Sequence, residues 1–258
     1  MDEVQVLHVC VPGIQVKRSL SYKVPRACPW VSTKETTKQK HWREIKIFAG
    51  ILNIFTSGFN HIGSFEIKDD NEAEYIWLLL VTRCLHSIRC SIDLMLKGYY
   101  SQAMSLLRTG TEDWFICKTA QDNQAVRNCL IRGEVRMPKY SKLAWQAGAM
   151  KLYRGDYAEQ SKFTHSSKLS LRVLQDQNTN EMRIAPVYDE MLFLLCAESL
   201  MRVSLLMLEY MGRFLFYIDK DKAKSWDNQN GQSIKDASNW LMELRNKYSK
   251  DIDAINHD

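Results

Sequence analysis

Residues 72–121 read as two long amphipathic helices around a single glycine, and that pairing sets what the chain can become. The run EAEYIWLLLVTRCLHSIRCSIDLMLK, 72–97, repeats its apolar residues at helical spacing. Asp69, Asp70 and Asn71 stand at its front, where negative side chains suit the positive end of a helix. Gly98 closes it, the residue best suited to a left-handed C-terminal cap. A second helix, about 100–121, follows after so short a connection that the spacing predicts an antiparallel helical hairpin.

The rest of the chain extends the same theme. Eleven glycines and five prolines in 258 residues leave little turn material, which favours helices over a many-stranded sandwich. A helix is expected from STKETTKQKHWREIKIFAGILNIF, with Ser32 or Thr33 as N-cap, followed by a loop or irregular element at 56–71. Shorter helices are expected at 122–132 and 139–152, separated by Gly133 and Pro138. Asp156 with Glu159 three residues on resembles a capping box and predicts a helix start. LSLRVLQDQNTNEMRIAPVYD, 169–189, reads as strand, turn, strand. A long greasy helix is expected over 188–218, then a linker at 226–232 (WDNQNGQ). A final amphipathic helix over 233–254 turns Ile234, Ala237, Trp240, Leu241 and Leu244 inward. The expected architecture is an all-α antiparallel helical bundle with a small β-hairpin and an irregular basic N-terminal arm. Its parts are the arm at 1–31, the bundle domain at 32–225, and a linker with a C-terminal helix packing on the bundle at 226–258.

Charge is unevenly placed. Residues 1–50 hold nine Lys/Arg and four Asp/Glu, a net +5, while 51–258 hold 26 of each sign. Such a segment can meet phosphates or simply remain solvated. Val4–Val11 and Ser21–Val24 are short β-like runs punctuated by prolines, consistent with an extended arm or small hairpin. Seven cysteines without paired spacing, five of them inside helical apolar patterns, point to a reducing cytoplasm. MDEVQVLHVC lacks the basic start of a secretory signal. The longest uncharged run in 191–218 is seven residues, so no membrane span is expected. His86 and Cys90 lack further ligands at metal-site spacing, and the arm's His8, Cys10, Cys28 and His41 match no zinc pattern. No metal or cofactor is therefore expected. The seven tryptophans do not alternate with Lys/Arg as a stacking platform would. Gly110, alone within a helix, marks a close helix–helix contact.

One polar constellation interrupts the apolar pattern. Arg108 and Glu112 lie four apart on the second helix of the hairpin, and Tyr157, Ser161 and His165 align at four-residue steps on another. Facing one another, these stripes would place a guanidinium, a carboxylate, a phenol, a hydroxyl and an imidazole together. That set can hold an anion or carry out acid–base chemistry on a phosphodiester. Arg108, Glu112 and His165 are the candidate catalytic or anion-recognising residues, with Tyr157, Ser161 and Arg89 as candidate binding residues.

The stretches GYYSQAMSLLRTGTEDW and YAEQSKFTHSS, with PVYDEM opening a later helix, resemble a broad group of uncharacterised bacterial helical proteins. That group pairs a G-x-Y-x-x-A-x-x-L-x-R-x-x-x-E helix with a Y-x-x-x-S-x-x-x-H helix. The resemblance covers about 72–218 and falls on Gly98, Tyr100, Ala103, Leu106, Arg108, Glu112, Tyr157, Ser161 and His165; Tyr100 and Leu106 match with a register allowance of one. The layout is also similar to the helical HEPN ribonucleases of toxin–antitoxin and anti-phage systems. Their Arg-to-His motif is missing, since no His has an Arg four to six residues upstream. The group brings no function of its own; the first expectation is a cytoplasmic, homo-oligomeric protein of bacterial or phage defence or stress type that recognises RNA or a nucleotide through Arg108, Glu112 and His165. The competing expectation is a non-catalytic module that dimerises through 188–218 and uses the polar network for register.

Overall fold

The computed structural model describes residues 5–7, 20–22, 29–63, 72–133, 137–164 and 188–257. The described chain is an all-α bundle. In order, its helices are α1 (Pro29–Lys40), α2 (Trp42–Ile62), α3 (Glu72–Leu96), α4 (Tyr100–Ala120), α5 (Gln124–Ile131), α6 (Tyr140–Gln146), α7 (Met150–Leu152), a π-helical turn (Tyr153–Tyr157), α8 (Ala158–Thr164), α9 (Glu190–Ile218) and α10 (Lys220–His257).

The hairpin forms as its sequence predicts. Gly98 has φ +83°; its N–H donates to Met95 O (3.0 Å), and Tyr99 N–H donates to Leu94 O (2.9 Å). These two bonds are the Schellman closure, which satisfies orphan carbonyls at the end of α3. The helices then lie antiparallel. Trp77 Nε1 donates to Cys117 O (3.0 Å) and Ser91 Oγ to Ala103 O (3.2 Å) across the pair.

Helix α9 is the axis of the bundle, in contact with α2, α3, α4 and α10. Eighteen of its twenty-nine residues are buried, including Phe193, Leu200, Met207 and Phe214. A helix apolar on nearly all sides belongs at the centre of a core. It is long and apolar enough to cross a membrane by composition, yet 72% of its most apolar window is buried inside the bundle. It packs against helices of its own chain, while eleven of its residues keep some exposure, Phe216 and Tyr217 the most among its large hydrophobics. Gly110 sits where α4 meets it. A Cβ there would lie 2.5 Å from Val203 Cγ1 and 3.2 Å from Cys84 Sγ, so the close contact expected of this glycine is present. The five described cysteines are free thiols.

Several expectations are corrected. The small β-hairpin is not seen on the bundle: the described domain buries its apolar surface helix against helix. The stretch 169–187 lies outside the described residues. Among the described residues, extended pairing is confined to Gln5–Leu7 against Leu20–Tyr22, too short to stand as a hairpin of independent stability. The loop expected at 56–71 is helical as far as Ile62. Gly58 is not a turn residue but a point of close approach, its Cβ direction 2.7 Å from the Met211 side chain. The linker expected at 226–232 is helix. Trp226 Nε1 donates to Ile54 O (3.3 Å), and Asn230 Nδ2 donates to Trp226 O (2.9 Å) and Ser57 Oγ (3.2 Å). Those partners satisfy a polar run that composition alone marks as a break. Asp156 caps nothing, because the π turn runs straight into α8; its carboxylate pairs with Arg202 instead.

Candidate functional site

Arg108 and Glu112 meet as the four-residue spacing requires, with Arg108 Nε donating to Glu112 Oε1 at 3.1 Å. The π turn brings in the third member. An extra residue per turn swings Tyr157 toward α4, where Arg108 Nη2 donates to its hydroxyl (3.1 Å) and that hydroxyl donates to the same Glu112 oxygen (3.0 Å). Arg108 Nη1 donates to Thr164 Oγ1 (2.8 Å), and the guanidinium lies 5.1 Å from the Tyr157 ring centre. All three guanidinium nitrogens therefore donate within the fold. Burial opposes the charge on Arg108, but the bonds to Tyr157 and the charge of Glu112 outweigh it and push its pKa up. Burial, then Glu112, pushes Tyr157 up and Tyr140 up to about 12, so both phenols stay protonated.

The expected residues divide three ways. Arg108, Glu112 and Tyr157 converge. Ser161 does not join them by its hydroxyl, which donates to the Tyr157 carbonyl one turn back (2.7 Å). Arg89 is exposed on α3, apart from the bonds of this cluster. His165 lies outside the described residues.

Two partners escaped the sequence reading. Asp113 is fully buried and held by Arg83, whose Nε donates to Oδ2 (3.0 Å) while Nη2 pairs with Oδ1. Burial pushes Asp113 up to about 6 despite that arginine. Beyond it, Thr111 Oγ1 donates to Gln160 Oε1 (2.9 Å) and Gln160 Nε2 to Ser199 Oγ (2.7 Å), a buried chain linking α4, α8 and α9.

A second charged group lies on the other side of α8. Arg202 pairs with Asp156 and Glu198, and Arg245 Nε donates to Glu198 Oε1 (2.7 Å). Glu159 stands beside these carboxylates; burial first, then Glu198 and Asp156, push it up to about 7. A carboxyl whose folded pKa exceeds its unfolded value binds protons more tightly when folded, so stability rises as pH falls through that window. Thermal melts from about pH 8 to about pH 5 should show the melting temperature increasing. Glu159→Gln should stabilise the protein by about 1–3 kcal/mol at the alkaline end and flatten that slope. Glu44 and Glu72, whose pKa values are lowered by hydrogen bonds to His41 and to Gln124 respectively, act in the opposite sense only below the usual carboxylate range. A melting temperature flat across the window would contradict the assignment.

The clefts open elsewhere. Between α2 and α10 lies one of about 420 Å³, lined by Trp42, Arg43, Lys46, Ile47, Asp236, Asn239, Trp240 and Glu243. Trp42 is 58% exposed, and Lys46 Nζ lies 4.4 Å from its ring centre. A smaller cleft of about 240 Å³ adjoins it, sharing Arg43, Trp240 and Glu243. Its floor is His41, at the break between α1 and α2. The motif reading passed over this face, although KHWREIK, 40–46, sets one indole among three cations. Among the described residues, no group of three His, Cys, Asp or Glu side chains is placed to hold a metal.

No protein-family model, curated protein or solved structure matches this chain.

Proposed function

We propose that this protein recognises RNA or a nucleotide through the basic face of α1, α2 and α10, and that Arg108, Glu112 and Tyr157 are a clamp within the fold. The observation that carries this is Trp42: a large, exposed indole with an ammonium over it and a cleft at its side. Every base has a π-face that stacks on such a ring, and neighbouring cations meet the backbone phosphates. Five of the nine basic residues in 1–50, namely Lys34, Lys38, Lys40, Arg43 and Lys46, belong to α1 and α2. The clamp reading is supported by the occupied guanidinium of Arg108, which an incoming anion would have to strip of its partners.

A second reading keeps the ligand at the Arg108 cluster, favoured by the 23% of the Arg108 side chain that remains exposed. Titration of a fluorescent single-stranded RNA separates the two. Trp42→Ala should weaken binding by roughly tenfold, the order of one lost base stack, and affinity should fall as salt rises. Glu112→Gln should leave binding unchanged. Binding that survives Trp42→Ala and disappears in Glu112→Gln would move the site to the cluster.

A further inference from the structure

The smaller cleft differs in chemistry from the Trp42 groove. The Arg43–Glu243 ion pair, 3.1 Å, stands in the wall the two share. On the floor, the buried His41 ring stacks on Phe193, with centroids 4.1 Å apart. Its Nε2 is 2.8 Å from the Tyr188 hydroxyl and its Nδ1 is 3.6 Å from Glu44. Both ring nitrogens thus have partners in the fold, and His41 is a fixed surface rather than a ligand.

Lys40 and Lys247 supply the cleft's other cations. Lys40 Nζ lies 4.6 Å from the Tyr188 ring centre and Lys247 Nζ 4.8 Å from that of Tyr248. Among the described residues, neither lysine forms an ion pair. An aromatic face orients an ammonium without cancelling its charge, whereas a carboxylate partner would neutralise it. With Lys46 over Trp42, three lysines of this face are held in the same way. Three carboxylates also line the cleft, but Glu243 is bonded to Arg43 and Glu44 lies beside His41. Glu190, exposed in the first turn of α9, also lines the cleft and has no ion-pair partner among the described residues. The arrangement is two oriented, uncancelled ammoniums over a rigid floor, one wall away from a stacking surface.

Resting on the nucleotide reading above, we propose that this cleft seats a terminal phosphomonoester, so that the ligand is a nucleotide or RNA end bearing a free phosphate. A dianionic phosphate between Lys40 and Lys247 receives charge-assisted bonds from both sides, while the adjoining base stacks on Trp42. Glu190 opposes the dianion, which gives the proposal a second direction of test.

The experiment compares one short oligoadenylate in three forms, with a 5′-phosphate, with a 3′-phosphate and with hydroxyls at both ends, by calorimetry on the full chain. One phosphorylated form should bind at least tenfold tighter than the hydroxyl form. Lys40→Gln with Lys247→Gln should erase that difference, weakening the phosphorylated form by far more than the hydroxyl form, which loses only the backbone-phosphate contribution of Lys40, with the melting temperature unchanged. Glu190→Gln should enlarge it. Three forms binding alike, or a phosphate preference that survives the double substitution, overturns the proposal while the Trp42 site stands. If no form binds, the nucleotide reading fails; if Trp42→Ala changes nothing, the Trp42 site fails; in either case this inference falls with it.

Discussion

Arg108→Ala is expected to lower the stability of the fold by about 2–4 kcal/mol, somewhat below the loss typical of a fully buried pair because the cluster is partly exposed. In a domain of this size that corresponds to roughly 4–16 °C in melting temperature. The loss has two sources. Glu112 is left without its cation, with the Tyr157 and Tyr140 phenols as its remaining neighbours, and Thr164 loses the donor that ties the end of α8 to α4. Replacing both charges with apolar groups of similar volume, Arg108→Met with Glu112→Leu, should recover part of the loss, since a buried ion pair often breaks even against a hydrophobic pair. A double variant worse than either single one would argue against a clamp. So would a melting temperature indifferent to Arg108→Ala, because residues lining a wet site add little to the fold.

The larger effect belongs to Gly110. With a Cβ direction 2.5 Å from Val203 Cγ1, Gly110→Leu should prevent α4 from seating on α9 and leave no folded protein, read as loss of the cooperative melt. Gly110→Ala is the graded version. Alanine gains up to about 1 kcal/mol of helix propensity, and the overlap costs about 1–3 kcal/mol, so net destabilisation is expected. Val203→Ala should be worth more in the Gly110→Ala background than alone, a coupling that a double-mutant cycle reads directly.

How much of this was legible is clearest in the hairpin. Once Gly98 is taken as the turn, residues whose numbers sum to about 194–196 face one another, as Trp77 and Cys117, Ser91 and Ala103, and Arg83 and Asp113 do. The buried Arg83–Asp113 pair was therefore within reach of the sequence, but attention to four-residue spacing on single helices passed over it. Arg108 and Glu112 were readable for the opposite reason: their bond is local to one helix. Tyr157 reaches the pair through a π turn that leaves no mark in propensity. The expected breaks at 56–62 and 226–232 failed because Gly58, Trp226 and Asn230 answer to partners far along the chain. Local composition cannot tell a polar residue that ends a helix from one that docks it. The face around Trp42 was missed because a stacking surface was sought as repeated alternation, whereas here one indole is joined by lysines from separate elements.

The unbroken course of α10 has a consequence for how the molecule comes apart. A linker at 226–232 would let the last segment lift away as a separate flap. A continuous helix anchored at Trp226, Ala237, Trp240 and Leu244 instead peels like a zipper, each turn released only after the one beyond it. Lys247 and Tyr248 lie toward the outer end of that zipper, opposite Lys40 and His41 at its mouth. Whatever bridges the two sides would fasten the zipper's first tooth, so occupancy of the cleft and the unzipping of the C-terminal helix are one linked equilibrium.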